Sequence, residues 1–195
     1  MKNFSIILGA IILALFVTLV IWGVYCDNTI AITNYCVNNT KNDAKLKFVV
    51  ITDLHNKEYG EKNADLAELV KEQNPDFIAV CGDIAPTYCC LGNHERDNAA
   101  KFGTDFKSET NSTGAVLLDN EYIKFTKNGK SVLIGGMSDY PYYEFYTPDD
   151  DVPSRTLWEE FAEKAKNNFT ILLHHQPEYI AEDAKKTDID LTASG

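Results

Sequence analysis

No basic stripe runs through this chain. Eighteen lysines and arginines stand against 29 acidic residues, for a formal net charge of −11. That balance argues against a nucleic-acid-binding surface, which needs clustered Lys and Arg to neutralise phosphates. No His-Glu-x-x-His stretch is present, which argues against a zinc metallopeptidase. Neither an internal repeat nor a low-complexity tract appears. The five cysteines, Cys26, Cys36, Cys81, Cys89 and Cys90, are odd in number and lack paired spacing, which argues against a disulfide framework. Cys81, Cys89 and Cys90 lie in hydrophobic stretches and read as small buried apolar residues. That leaves Cys26 and Cys36 as the one candidate disulfide. The acidic surplus reads mainly as a solvated surface, with some carboxylates free to cluster around cations.

Charge is also missing from a single long run. From Phe4 to Cys26, FSIILGAIILALFVTLVIWGVYC carries none. About 20 apolar residues cross a bilayer, whereas a cleavable signal peptide has an apolar core of roughly 7–15. Trp22 and Tyr25 sit at the outer end, as interfacial anchors do. Cys26 invites a lipoprotein reading, but bulky Tyr25 before it makes a poor cleavage context. The expectation is an uncleaved transmembrane anchor over residues 1–26, a linker or early edge strand over 27–44, and one globular domain over 45–195. Lys2 precedes the span and Asp27 follows it. The positive-inside tendency then leaves the N-terminus in the cytoplasm and the domain outside a single-pass cell-membrane protein.

The domain alternates strand and helix patterns. Lys45 to Thr52 and Asp76 to Cys81 read as strands flanking a helical pattern from Glu61 to Gln73, with Pro75 beyond its end. This order predicts a parallel pair joined by a right-handed crossover. AVLLD, YIKFT and SVLIGGM read as short strands, with Asn128-Gly129 as the hairpin turn between the last two. Tyr140 to Asp151 reads as a Tyr- and Pro-rich loop. Arg155 to Lys166 reads as a helix and Asn168 to Leu173 as a core strand.

Four polar clusters follow apolar strands: Asp53-Leu54-His55, Gly82-Asp83, Gly92-Asn93-His94-Glu95 and His174-His175. Open α/β folds keep their sites at the C-terminal ends of strands. Beyond such an end, residues two apart can turn to one side, so Asp53 and His55 can grip one cation. Glycine at 82 allows close backbone approach. Asp83 adds a carboxylate, Asn93 an amide oxygen, His94 an acid and His175 another imidazole. This donor set points to a metal-dependent hydrolase. Two cations about 3.5–4 Å apart can activate water and hold both ends of a displacement at phosphorus.

Taken together and in this order, the clusters resemble the calcineurin-like metallophosphoesterases, most closely their membrane-anchored bacterial members. The resemblance runs from about Lys45 to the C-terminus. It implies an α/β fold, a β-sandwich flanked by helices in four layers, preceded here by one N-terminal transmembrane helix. It implies a phosphoester substrate and a dinuclear centre of manganese, iron or zinc. Asp53 and His55 would hold the first metal, Asp83 would bridge, and Asn93 and His175 would hold the second. His175 is preferred to His174 because the family's ligand stands two residues before a proline. His94 would be the general acid at the leaving oxygen, and Glu95 would orient it.

The chain departs from that family pattern twice. Only Ile84 to Thr87 separate two strands expected to be parallel neighbours, whereas a parallel connection usually needs a dozen residues. The expectation is an internally shortened, distorted fold with apolar sheet surface exposed. The sequence also reads as C-terminally truncated, since it reaches Gly195 where the family's Gly-His-x-His ligands would begin. The remaining donors are expected to hold one metal or none. Two expectations follow: a metal-dependent phosphoester hydrolase, or an inactive membrane-tethered remnant that binds metal or a partner only.

Overall fold

The computed structural model describes residues 2–38, 41, 45–52, 54, 57–81, 88–138, 153–176 and 183–194. The chain opens with α1 (Lys2–Asn28). Within it, Ile6–Asn28 is 23 residues long, apolar enough to cross a membrane, and exposed among the described residues. The helix runs two residues past the expected boundary. Side chains close its last turn: Asn28 Nδ2 donates to the Val24 carbonyl and Thr29 Oγ1 to the Tyr25 carbonyl, both at 2.7 Å. The alternative of an early edge strand after it is not realised, since residues 29–38 carry no strand.

Two four-stranded sheets follow. The first contains β1 (Phe48–Thr52), β2 (Phe77–Cys81), β3 (Tyr88–Cys90) and β4 (Val116–Leu117), all parallel and in that order. A 3-10 turn at Glu61–Asn63 and α2 (Ala64–Glu72) join β1 to β2. Two further helices, α3 (Asn93–Phe102) and α4 (Phe106–Ser112), join β3 to β4. The second sheet contains β5 (Glu121–Lys127), β6 (Lys130–Met137), β7 (Phe169–His174) and β8 (Leu191–Ala193). Here β5 and β6 form the expected hairpin, and β6, β7 and β8 are parallel. Asn128 (φ 51°) and Gly129 (φ 75°) both take the left-handed region that a two-residue type I′ turn requires. Helix α5 (Pro153–Ala165) leads into β7.

Period-2 alternation sorts the side chains into layers. Phe77, Ala79, Cys81 and Cys90 from the first sheet meet Val132, Ile134, Phe169, Ile171 and Leu173 from the second, forming the central core. On the far side of the second sheet, Leu133, Met137 and Leu172 pack against Leu157 and Phe161 of α5. On the far side of the first, Val80, Cys89 and Leu117 pack with Phe106 of α4. The result is a mixed α/β sandwich with helices on both outer faces.

The short connection between β2 and β3, residues 82–87, lies outside the described residues, but the two strands it joins are placed. Strands β2 and β3 are parallel neighbours, with Ala79 opposite Tyr88 and Cys81 opposite Cys90. The dozen-residue rule assumes a return along a whole strand. Here β3 has three residues and starts level with Ala79. The chain must therefore recover only about 7 Å along the strand and 4.8 Å across it. Six intervening residues reach that easily at about 3.3 Å each. The expected exposure of apolar sheet surface fails at the centre, where Val80 and Cys89 are buried. Exposed Val50 and Val116 lie instead on the edge strands β1 and β4. The candidate Cys26–Cys36 disulfide is absent, both thiols being free and exposed, while Cys81, Cys89 and Cys90 are buried.

Candidate functional site

Three contacts bring the C-terminal ends of the strands in both sheets to one edge of the sandwich. Beyond β3 and β7, the Gly92 backbone lies against the ring of His175. Past β4 and β6, Ser138 Oγ donates to the Asp119 carboxylate. At the ends of β2 and β8, Cys81 Sγ lies 3.1 Å from the Ala193 carbonyl. The antiparallel strand β5 finishes at the opposite edge, where Lys127 pairs with Asp76 at the start of β2.

Gly92, Asn93, His94 and Glu95 form the entry into α3. Gly92 is the residue before the helix, with an extended backbone (φ −91°, ψ 178°), and Glu95 is its third helical residue. The Gly92 N–H donates to Glu95 Oε2 at 2.9 Å, the half of a capping box that the third helical residue supplies. Glu95 is therefore engaged with the backbone of the turn that presents Asn93 and His94. His94 is exposed and Asn93 half-buried. The free N–H groups of a helix's first turn carry partial positive charge, which favours an anionic group beside them.

Space, rather than φ, demands glycine at position 92. A β-carbon there would stand 2.8 Å from Glu95 Oε2 and 3.1 Å from His175 Cδ2. The close approach brings the residue preceding Asn93 against His175. Strand alternation explains why His175 makes this contact. Leu173 faces the central core, so His175, two residues on, returns to the same side. His174 pairs with Met137 and shares the face covered by α5, where it is buried.

His175 is half-buried, and its Nδ1 is buried with no hydrogen-bond partner among the described residues. An orphaned buried nitrogen costs about 1–3 kcal/mol unless a ligand takes it. Imidazole nitrogens and amide oxygens are donor types that suit manganese, iron or zinc. By donor chemistry, His175 with its orphaned Nδ1 and the amide of Asn93 fit a divalent ion. Asp53, His55 and Asp83 lie outside the described residues. Among the described residues, no group of three or more His, Cys, Asp or Glu side chains converges.

Sequence reasoning missed a second cluster at this edge. Asp119 accepts from Ser138 Oγ, and Asn120 Oδ1 accepts from the Ser138 N–H at 3.3 Å. Arg96, one residue past Glu95, lies 3.9 Å from the Asp119 carboxylate. Asn120 holds φ 55°, a conformation Asn tolerates better than most residues. The cluster ties the first turn of α3 to the end of β6 and so fixes one sheet's polar edge against the other's. Its only sequence signal was the Asp-Asn pair, which reads equally as a turn.

A comparison with curated proteins gave no match. A family model did match, over residues 84–195, more than half of the chain. The matched span includes the Gly92–Glu95 turn and His175, and begins after Asp53, His55 and Asp83. On that match, and on the two-sheet α/β architecture, the chain belongs to the calcineurin-like phosphoesterases, a family of metal-dependent phosphoesterases.

Proposed function

We propose that this chain is a membrane-anchored, metal-dependent phosphoester hydrolase. The single observation that carries the reading is the packing of the His175 imidazole against Gly92, the residue that leads into Asn93 and His94. In the proposed site Asp53, His55, Asp83, Asn93 and His175 would be the residues that hold divalent ions. When bound, two such ions supply Lewis acidity and a nucleophilic water at neutral pH.

The remaining work falls to the chain itself. Water oxygen bonds to phosphorus, the ester P–O bond breaks, and the departing oxygen takes a proton. His94 is the group suited to give that proton, because it is exposed at the second position of α3 and adjacent to Asn93. Glu95, by capping Gly92, holds the turn in which His94 sits. The first-turn N–H groups favour the negative phosphoryl oxygens. Single-pass insertion through Ile6–Asn28, with the domain on the extracytoplasmic side, is part of the same proposal.

The test is hydrolysis of p-nitrophenyl phosphate and its bis-ester by the full chain in detergent with manganese. Activity that vanishes on chelation and returns with metal is expected. His94→Ala is expected to lower kcat by about 10²–10⁴-fold, the usual share of general acid–base catalysis, with bound metal retained. His175→Ala is expected to lower the metal content measured by mass spectrometry. Absence of metal-dependent hydrolysis by the folded, metal-loaded chain would overturn the proposal.

A further inference from the structure

The Lys57 ammonium pairs with Asp27 Oδ2 at 2.8 Å and also donates to the Asp27 carbonyl. Lys57 lies a few residues past β1, and its N–H donates to the Leu54 carbonyl at 2.8 Å. It lies on the same sandwich edge as Gly92 and His175, because β1, β2 and β3 are parallel. Asp27 lies in the last turn of α1, at the end of the apolar span. Exposed Trp22 and Tyr25, with ring centroids 6.3 Å apart, precede it and mark the depth at which aromatic side chains meet headgroups. At 1.5 Å per residue, Asp27 is about 3 Å further along the axis than Tyr25. Immediately after the helix, Ile32, Tyr35 and Val37 are exposed apolar side chains, suited to lie on the same interface.

The ion pair therefore sets Lys57, on the candidate-site edge, beside the end of the apolar span, the level at which the phosphates of a bilayer are found. A site oriented away from the membrane would instead sample soluble esters. Resting on the phosphoesterase reading, we propose that the substrate is a phosphoester carried by a membrane lipid, reached by an edge that Lys57 and Asp27 hold against the bilayer. Water attacks the lipid's phosphorus, the P–O bond breaks, and the protonated alcohol and a phosphate product separate at the surface.

The experiment uses the full chain, loaded with manganese, in phosphatidylcholine vesicles containing phosphatidic acid or phosphatidylglycerol. p-Nitrophenyl phosphate and its bis-ester are the soluble comparators. The expected result is a kcat/KM for one vesicle-borne ester at least about tenfold above that for either soluble ester. Lys57→Glu is expected to lower the vesicle reaction about tenfold and leave the soluble reaction unchanged. The double exchange Lys57→Glu with Asp27→Lys is expected to restore it. Hydrolysis of soluble esters with no preference for vesicles overturns this inference alone, as does a Lys57→Glu loss that is equal on both substrates. Hydrolysis of neither class overturns the phosphoesterase reading and this one with it.

Discussion

His175 packs on Gly92 so closely that a β-carbon at position 92 would come within 3.1 Å of the imidazole Cδ2 and 2.8 Å of Glu95 Oε2. Gly92→Ala must therefore displace the ring, the carboxylate or both. Displacing Glu95 breaks its bond to the Gly92 N–H, a capping contact of about 1 kcal/mol. The expected outcome is a fall in Tm of several degrees and a loss of phosphoesterase activity larger than that fall explains. Glu95→Gln, which keeps an acceptor for the same N–H, is expected to retain the Tm. Thermal melts beside activity assays check both.

The sequence signals that served well were those with strong local causes. The Asn128-Gly129 hairpin and the Pro-bounded helix ending at Glu72 were legible because turn and breaker chemistry is local. Helix α3 was missed because NHERDNAAKF carries no apolar stripe. Its ends are set by the Glu95 cap and by Gly103 at φ 69°, features visible only once the strands around it are placed. Strand β8 was missed because three residues give no period to detect. The distance that the β2–β3 connection spans was not legible because it depends on strand length and pairing register, which sequence does not show. Of the candidate site, the structure describes Asn93, His94, Glu95 and His175 at the strand-end edge where their sequence positions put them. The close packing of His175 on Gly92, and the Arg96–Asp119–Ser138 tie, arise from two sheets meeting and had no sequence signature.

Gly135 and Gly136 make a paired test of that sheet contact. On one face of β6, a β-carbon at Gly136 would meet the Leu118 carbonyl oxygen at 2.5 Å. On the other, a β-carbon at Gly135 would meet the Phe161 ring at 3.0 Å. A ring on α5 can shift by a few tenths of an ångström, whereas the Leu118 backbone is held by its N–H bond to the Cys89 carbonyl at 2.8 Å. Overpacking costs typically about 1–3 kcal/mol. Gly135→Ala is expected at the low end and Gly136→Ala at or above the high end, as read by denaturant midpoints.

Thiol reactivity follows burial. Burial, and next the nearby Cys81, push the Cys89 thiol up to about 11, so almost no thiolate forms at neutral pH. Maleimide is expected to modify Cys36 in the native protein within minutes and to spare Cys81, Cys89 and Cys90. All three become reactive in denaturant. Intact-mass spectrometry before and after unfolding counts the adducts, and rapid native labelling of Cys89 would contradict the packed core.

At the edge away from the candidate site, Asp76 joins the two sheets. Its carboxylate pairs with Lys127 on β5 and accepts from the Lys47 N–H at 2.9 Å. Burial alone would raise its pKa, but the hydrogen bond from Lys127, the Lys47 N–H and the Lys127 charge together outweigh it and hold the carboxyl below its usual value. A carboxyl whose folded pKa is depressed contributes stability above its unfolded pKa, about 3.9, and loses it as pH falls through the folded value. The contribution is thus fully present at neutral pH and declines below about pH 4. Lys127→Met is expected to lower stability by about 1 kcal/mol at pH 7, toward the upper end for an ion pair of this exposure, and by less at pH 3. Asp76→Asn is expected to cost more at pH 7, because it also weakens the acceptor for the Lys47 N–H. Urea unfolding of wild type and both variants at the two pH values gives the comparison. A Lys127→Met penalty that is the same at pH 3 and pH 7 would assign the contact to packing of the lysine stem rather than to charge.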